Sequence, residues 1–598
     1  MALFAKDYSP LARFCKLDIA ERQLFIRHPP LYNISIMPLL RQSLLDTNLV
    51  RLRAMALFWE IPLTVSRQRE AALELTEVMS DPEAIRQAQG RLPDDQAEAL
   101  RALLASDGHM PRRVFAREWG DIRAMGPGRM ERERPWEDPV SPAEGLWYRG
   151  FLFQTFERGP DGVYEAVLVP REIRRHLSTP DVAQPTIALD PIGAPSATLS
   201  HRDLLLDDAC TLLAYVHNER LRLGPDRRWR DRQKENLSRR LQDQDQERFA
   251  FLRHLASRIG WLTDDEKERL RLNPEPVTAW LQSDTFPQRC AMAETWRNDS
   301  TWNDLFHVPT LRPEDTGAWH NDPVLARQAV LRHLSACSPA TWYALDAFVA
   351  AIKQVDPDFQ RPAGDYDTWY IRDEATGAYL SGFESWDAVE GRLIRYLLTR
   401  PMVWLGLIDI EATGDDQPPC AFRLSQSGSA FLDLRDPPSQ TTSSPSRLRS
   451  RFRISVPPAQ RYERFQLARV AEWVQTGERF VYRLTPASLE RARRQDISVP
   501  RVLSFLREIT EAPVPRALEE ALTRWDSQGT EAHLERVVLL RISQEELMDQ
   551  IVSSTRLARL IEERVGPTAA LVREQDWRQV VTRLGEMGLL PEVRGLPK

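Results

Sequence analysis

The stretch Ser141–Val169, SPAEGLWYRGFLFQTFERGPDGVYEAVLV, decides how the chain is read. Ser141 offers a hydroxyl at a helix N-cap, and Pro142 takes the first helical position, where its missing N–H costs no hydrogen bond. Glu144 completes a capping box. The spacing predicts a helix over Pro142–Phe156. Gly159-Pro160-Asp161-Gly162 then supplies a turn, and Tyr164–Val169 reads as a strand.

Upstream, Asp95–Ser106 and Arg112–Trp119 show helical periodicity on either side of an Asp107-Gly108 turn. Between the second of these helices and Pro142, Arg123–Asp138 (RAMGPGRMERERPWED) reads as a basic loop. Its Gly126 and Gly128 free the backbone, and Arg129, Arg132 and Arg134 project charge. Three helices followed by a hairpin is the order of a winged helix. A second unit repeats it with helices around Val324–Leu334, Pro339–Val355 and Trp386–Leu398, then Ala421–Leu424, a Gln-Ser-Gly turn and Ala430–Leu432. Ser338-Pro339 and Thr485-Pro486 repeat the hydroxyl–proline helix start.

Two stretches rich in Pro, Ser and Thr read as linkers: Ser178–Ser200 and Asp433–Ser446. At 598 residues the chain is too long for one core, and the size prior gives roughly three to five domains. The expected division is an N-terminal helical region (1–90), a winged-helix-like unit (91–178), a linker (179–200) and a helical middle (201–321). A second winged-helix-like unit (322–433), a flexible linker (434–447) and a C-terminal mixed domain (448–598) complete it. The fold class expected is α+β, mostly α.

Composition excludes several classes. The 42% hydrophobic and 28% charged residues are those of a globular chain. The longest apolar candidate, Met402–Ile410, is half the length that spans a bilayer, and the N-terminus lacks a signal-peptide pattern. Cys15, Cys210, Cys290, Cys337 and Cys420 lie far apart with no CxxC pair, which points to a reducing, cytoplasmic setting rather than a disulfide framework or zinc ribbon. None of Lys6, Lys16, Lys234, Lys267, Lys353 and Lys598 sits in a Gly-Lys-Ser/Thr step, so a P-loop is excluded.

No HExxH, nucleophile elbow or dinucleotide fingerprint occurs. Asp365, Asp367, Asp373 and Glu374 could suggest a magnesium site. Their alternation with Tyr366, Trp369 and Tyr370, followed by a Thr376-Gly377 turn, fits the polar face of a hairpin better. Trp119, Trp147 and Trp473 stand at helical spacing from apolar residues and read as core. No catalytic residue, cofactor or metal ligand is therefore expected.

The net charge of −6 hides an asymmetry. Arg447–Lys598 carries +5 and the preceding residues −11, while Arg447–Arg516 alone carries +8. A basic segment on an acidic chain points to a polyanion partner. Arg447, Arg449, Arg451 and Arg453 alternate at strand period, and Arg491, Arg493 and Arg494 lie on the helix that Thr485-Pro486 starts. These seven, with Arg129, Arg132 and Arg134, are the candidate nucleic-acid contacts.

The C-terminal succession Phe452-Arg-Ile-Ser-Val-Pro, Arg461–Trp473, Phe480-Val-Tyr-Arg-Leu-Thr-Pro-Ala-Ser-Leu and Pro513-Val-Pro-Arg-Ala-Leu resembles the helicase-associated N-terminal domain of bacterial XPB-type repair helicases. RERPWEDPVSPAEGLWYRG, DYDTWYIRD and GFESWDAVEGRLIRYLL are similar to stand-alone bacterial helicase-associated, winged-helix DNA-binding proteins built around that domain. Asn48–Met79 resembles a SAP-type helix–extended–helix DNA module, with a plain helical hairpin as the alternative. The resemblance departs from true XPB helicases in that no motor follows the domain. It implies a non-catalytic accessory protein of DNA repair or transcription that binds duplex or single-stranded DNA through arginine–phosphate contacts, with a separate helicase or nuclease as a further partner. The alternative is a protein–protein scaffold whose winged helices do not touch DNA.

Overall fold

The computed structural model describes residues 39–595, apart from 64, 66, 160–161, 178–186, 201–202, 220, 225–227, 265–268, 318, 415–416, 438–443, 450–451, 511 and 530–536. The fold is mixed α/β and mainly helical, as expected. It divides into two compact units. One takes residues through Ser443 together with Pro458–Phe465 and Thr476–Glu478; the other takes Ser444–Pro457, Gln466–Gln475 and Arg479–Lys598.

The larger unit opens with helices Leu40–Leu45, Leu49–Phe58, Gln68–Met79, Pro82–Gly90 and Asp94–Ala105. Arg112–Trp119, Pro127–Glu133 and Pro142–Tyr148 follow, with a three-stranded antiparallel sheet ordered His109–Pro111, Gly162–Leu168, Phe153–Gly159. Leu52, Met55, Leu75, Leu100, Leu103, Phe115, Leu146, Phe151 and Val167 form one buried core across these elements. Two local readings change. The helix begun at Ser141 ends at Tyr148 rather than Phe156, because Gly150 turns the chain at φ 76° and Phe153 already pairs with Leu168. The positive φ favours glycine here, and a side chain would also push the Met79 methyl, 2.7 Å from its Cβ, out of place. The basic loop holds a helix, Pro127–Glu133, which proline opens at its first turn and Arg134 closes in the left-handed region (φ 49°).

Farther along, Leu204–Asn218, Asp231–Ser238 and Gln246–Arg258 build the helical middle. A four-stranded antiparallel sheet is ordered Thr198–Leu199, Ile408–Glu411, Ala421–Leu424, Tyr343–Ala344. Part of the stretch read as the first linker is thus an edge strand, and Ile192 bridges to Trp342. Ser338-Pro339 starts a turn, closed by Thr341 N–H donating to the Ser338 carbonyl, and the helix begins only at Leu345. The strand expected at Ala430–Leu432 is instead the end of a helix, Gln426–Phe431, because Ser425 caps it by accepting from Gly428 N–H. Three of the four carboxylates of DYDTWYIRDE are held by arginines: Asp365 and Asp367 by Arg113 (2.6 and 3.3 Å), and Asp373 by Arg392 (2.7 Å).

The smaller unit has two sheets. The first is antiparallel, ordered Arg447–Arg449, Arg453–Val456, Phe480–Arg483, Glu472–Gln475, and helices Pro486–Arg493, Val499–Ile509 and Arg516–Gln528 follow it in sequence. The second is ordered Val537–Arg541, Ala569–Arg573, Ile561–Gly566 and shares a small core of Ile551, Leu557, Val572, Val580 and Leu584 with helices Glu545–Ser553 and Trp577–Glu586. No helix among the described residues is long and apolar enough to cross a membrane.

Candidate nucleic-acid interface

Alternation builds most of the first sheet of the smaller unit; Ser455, between Ile454 and Val456, is also buried and bonded to Arg479. Ile454, Val456, Phe480 and Tyr482 are buried, while Arg447, Arg449, Arg453 and Arg483 are exposed. The register then aligns the arginines. Arg449 lies opposite Arg453, Arg453 opposite Arg483, and Arg483 opposite Glu472. Residues paired across an antiparallel ladder share a face, so three guanidinium groups cross three adjacent strands on the solvent side. Arg447 joins that face two residues before Arg449. Arg451 lies outside the described residues.

Two further observations set the electrostatics of this face. Arg479 crosses beside it, with Nε donating to Ser455 Oγ (2.8 Å) and Nη2 to the carbonyls of Pro445 and Ser455 (2.8 and 2.9 Å). Burial lowers the Arg479 pKa, and the positive charges of Arg447 and Arg449 lower it further. The neighbouring carboxylate, Glu472, stands 4.0 Å from Arg483 and also accepts from Thr485 Oγ1 (2.8 Å). The face therefore concentrates like charge that an anion would relieve.

Neither Arg479 nor Arg483 is among the candidates that the sequence singles out. Arg483 is visible in the alternation of Phe480-Val-Tyr-Arg, but its membership of the row depends on the register of strands far apart in sequence.

The other candidates distribute differently. Thr485 and Pro486 start the Pro486–Arg493 helix as expected, with a reciprocal Thr485–Ser488 cap. Arg493 and Arg494 are exposed and reach back to Glu490 (2.8 and 3.4 Å). Arg491 turns the other way, and its Nη2 donates to the carbonyls of Ala471 (2.8 Å) and Ala468 (3.3 Å) at the end of the Arg461–Val470 helix. There it caps the C-terminal end of that helix. Arg129, Arg132 and Arg134 lie in the larger unit, in and just after the Pro127–Glu133 helix. Arg129 pairs with Glu133 (2.7 Å), Arg134 with Glu137 (2.9 Å), and Arg132 is exposed.

Residues 451–566 match the family described as the helicase conserved C-terminal domain. The chain thus carries a helicase-related domain, and the match takes in Arg453, Arg479 and Arg483 while Arg447 and Arg449 stand just before it. No curated protein matches the chain. Among the described residues, no group of His, Cys, Asp and Glu is arranged to hold a metal ion.

Proposed function

We propose that this chain is a non-catalytic DNA-binding accessory protein, acting in repair or transcription, and that its helicase-related domain resembles the N-terminal domain of XPB-type helicases. The observation that carries the reading is the row Arg449–Arg453–Arg483 across three strands, beside Arg447 and Arg479. A row of exposed guanidinium groups offers charge to phosphates and carries no group that reads a base edge by itself, so the contact is to the backbone with low sequence preference. Arg493 and Arg494 extend the cationic surface, since exposed pairs with Glu490 are weak enough to exchange for phosphate. Arg491 serves the fold instead.

In the larger unit, we read Asp94–Ala105, Arg112–Trp119 and Pro142–Tyr148, with the helix Pro127–Glu133 before the last, and the Phe153–Leu168 hairpin as a winged-helix-like unit. We assign its Arg129, Arg132 and Arg134 a secondary role on DNA. The hairpin itself favours a protein partner, because Phe156 and Val163 are 72% and 64% exposed. That partner would be a separate helicase or nuclease, and the setting the cytoplasm.

The test is an equilibrium salt titration of the intact chain on unrelated duplexes of equal length. The reading expects affinity to fall linearly on log–log axes with a common slope for all sequences. Salt-independent binding, or none, would leave the protein-scaffold alternative.

A further inference from the structure

A second surface, in the larger unit, has the chemistry of a base-stacking site. Phe306, Trp319 and Trp369 form a continuous row of near-parallel rings. Centroids are 6.2 Å apart with planes at 11° for the first pair, and 5.2 Å at 28° for the second. The inner end is closed: Arg361 lies 4.0 Å over the Trp369 ring and is fixed by buried Glu390 (2.6 Å). The outer end is Phe306, 42% exposed.

The turn that carries the outer end is anchored. Phe306 belongs to the short 3-10 helix Asp304–His307, whose Asp304 is bound by the fully buried Arg327 (2.6 Å), which in turn donates to the Asp299 carbonyl (2.6 Å). A large exposed aromatic that is pre-positioned loses little freedom when it takes a ligand.

Cations and further rings border the row. Strand Leu311–Pro313 pairs with Ile371–Asp373 so that Arg312 stands opposite Arg372 on one face. Arg372 covers the Tyr379 ring at 3.7 Å, and Tyr370 and Tyr379 are 44% and 50% exposed. Glu314 ties the parts together. Its N–H donates to the Tyr370 carbonyl, its carbonyl accepts from Trp319 Nε1, and its carboxylate binds Arg372 and Tyr379. Those bonds from Arg372 and Tyr379 hold the Glu314 pKa below the usual range, so its charge is engaged within the site.

We propose that this ribbon is a stacking platform for the bases of single-stranded DNA, with Phe306 as the first ring a base meets and Arg312 beside the backbone. Parallel rings ending in an exposed ring accept any base, because every base has a π-face, and the exposed Arg312 suits its phosphate. The inference rests on the DNA-binding reading but uses a different surface and a different physical term. The arginine row acts through charge; the platform acts through stacking.

The test measures anisotropy of a labelled oligothymidylate and, separately, of a duplex with the intact chain, the Phe306→Ala variant and the Phe306→Trp variant. Removing one stacked base lowers affinity about tenfold. Phe306→Ala should show that drop on the oligothymidylate with an unchanged salt slope and unchanged duplex binding, and Phe306→Trp should restore it. Parental affinity of Phe306→Ala for the oligothymidylate would overturn the platform, as would failure of the parent to bind it while the duplex is bound with salt dependence. In both cases the arginine row stands. No binding to either DNA would remove both proposals and assign the aromatic surface to a protein partner.

Discussion

Arg453 stands directly opposite Arg483 on adjacent antiparallel strands, with its other neighbour, Arg449, also an arginine. Like charges opposed in a ladder are destabilising, by roughly 0.2–1 kcal/mol. Three in a row make this sheet less stable than it could be. Arg453→Thr should therefore leave unfolding stability unchanged or raise it by about 0.5 kcal/mol, while weakening DNA binding. Urea denaturation of parent and variant gives the first result. A clear drop in stability would show that Arg453 holds the sheet rather than a ligand.

Arg491 should behave in the opposite way. Its guanidinium donates to carbonyls at the end of the Arg461–Val470 helix, so Arg491→Ala removes part-buried, charge-assisted hydrogen bonds, at a cost of about 1–3 kcal/mol. Arg494→Ala removes only an exposed pair with Glu490 and should stay within about 0.5 kcal/mol. Equal midpoints in urea for the two variants would contradict this division.

Glu144 shows how far sequence carries the fold. The Ser141-Pro142 start and the helix before the hairpin are legible, and Ser141 does accept from Glu144 N–H. The Glu144 side chain goes elsewhere: fully buried, it takes Arg123 Nη2 (2.7 Å) and Nε (2.9 Å) and the Val140 N–H (2.9 Å), clamping both ends of the arginine-rich segment. Local spacing places the carboxylate in the first turn but not the arginine that reaches it from 21 residues upstream. Arg491 looks like surface for the same reason, since helical spacing identifies a face and not what packs against it. The row through Arg483 needs a register that only tertiary pairing sets, and the helix at Gln426–Phe431 is hidden because Ser425 serves as well for a cap as for a turn. Glu144→Ala leaves Arg123 without its partner, and breaking such a pair costs about 3 kcal/mol or more when buried. Arg123 is partly exposed, so a cost nearer about 2 kcal/mol is expected, with faster proteolysis within Arg123–Asp138. A parental proteolysis rate there would refute the clamp.

His307 gives the fold an acid limit. It stacks on Trp302 at 3.9 Å with planes at 6°, and burial, aided by the nearby His254, lowers its pKa to about 4. A histidine whose folded pKa lies below its unfolded value near 6.5 favours the neutral form in the fold. Its contribution is complete above about pH 6.5 and disappears as pH falls toward about 4. Because the ring is partly exposed, the change is on the order of 1–2 kcal/mol. His307→Phe keeps a ring on Trp302 and removes the titration, so its stability should fall less than the parent's between about pH 7 and pH 4. Superimposable pH profiles would exclude His307 as the titrating group.

The most direct test of the DNA-binding account is the salt slope of the Arg449→Ala/Arg453→Ala/Arg483→Ala variant against the parent on the same duplex. On a duplex, each arginine that no longer neutralises a phosphate lowers the slope of log affinity against log salt by about 0.9. The expected slope is flatter by roughly 2.7, equally for unrelated sequences, with the unfolding midpoint unchanged or raised. A variant that binds DNA like the parent at every salt concentration would contradict it.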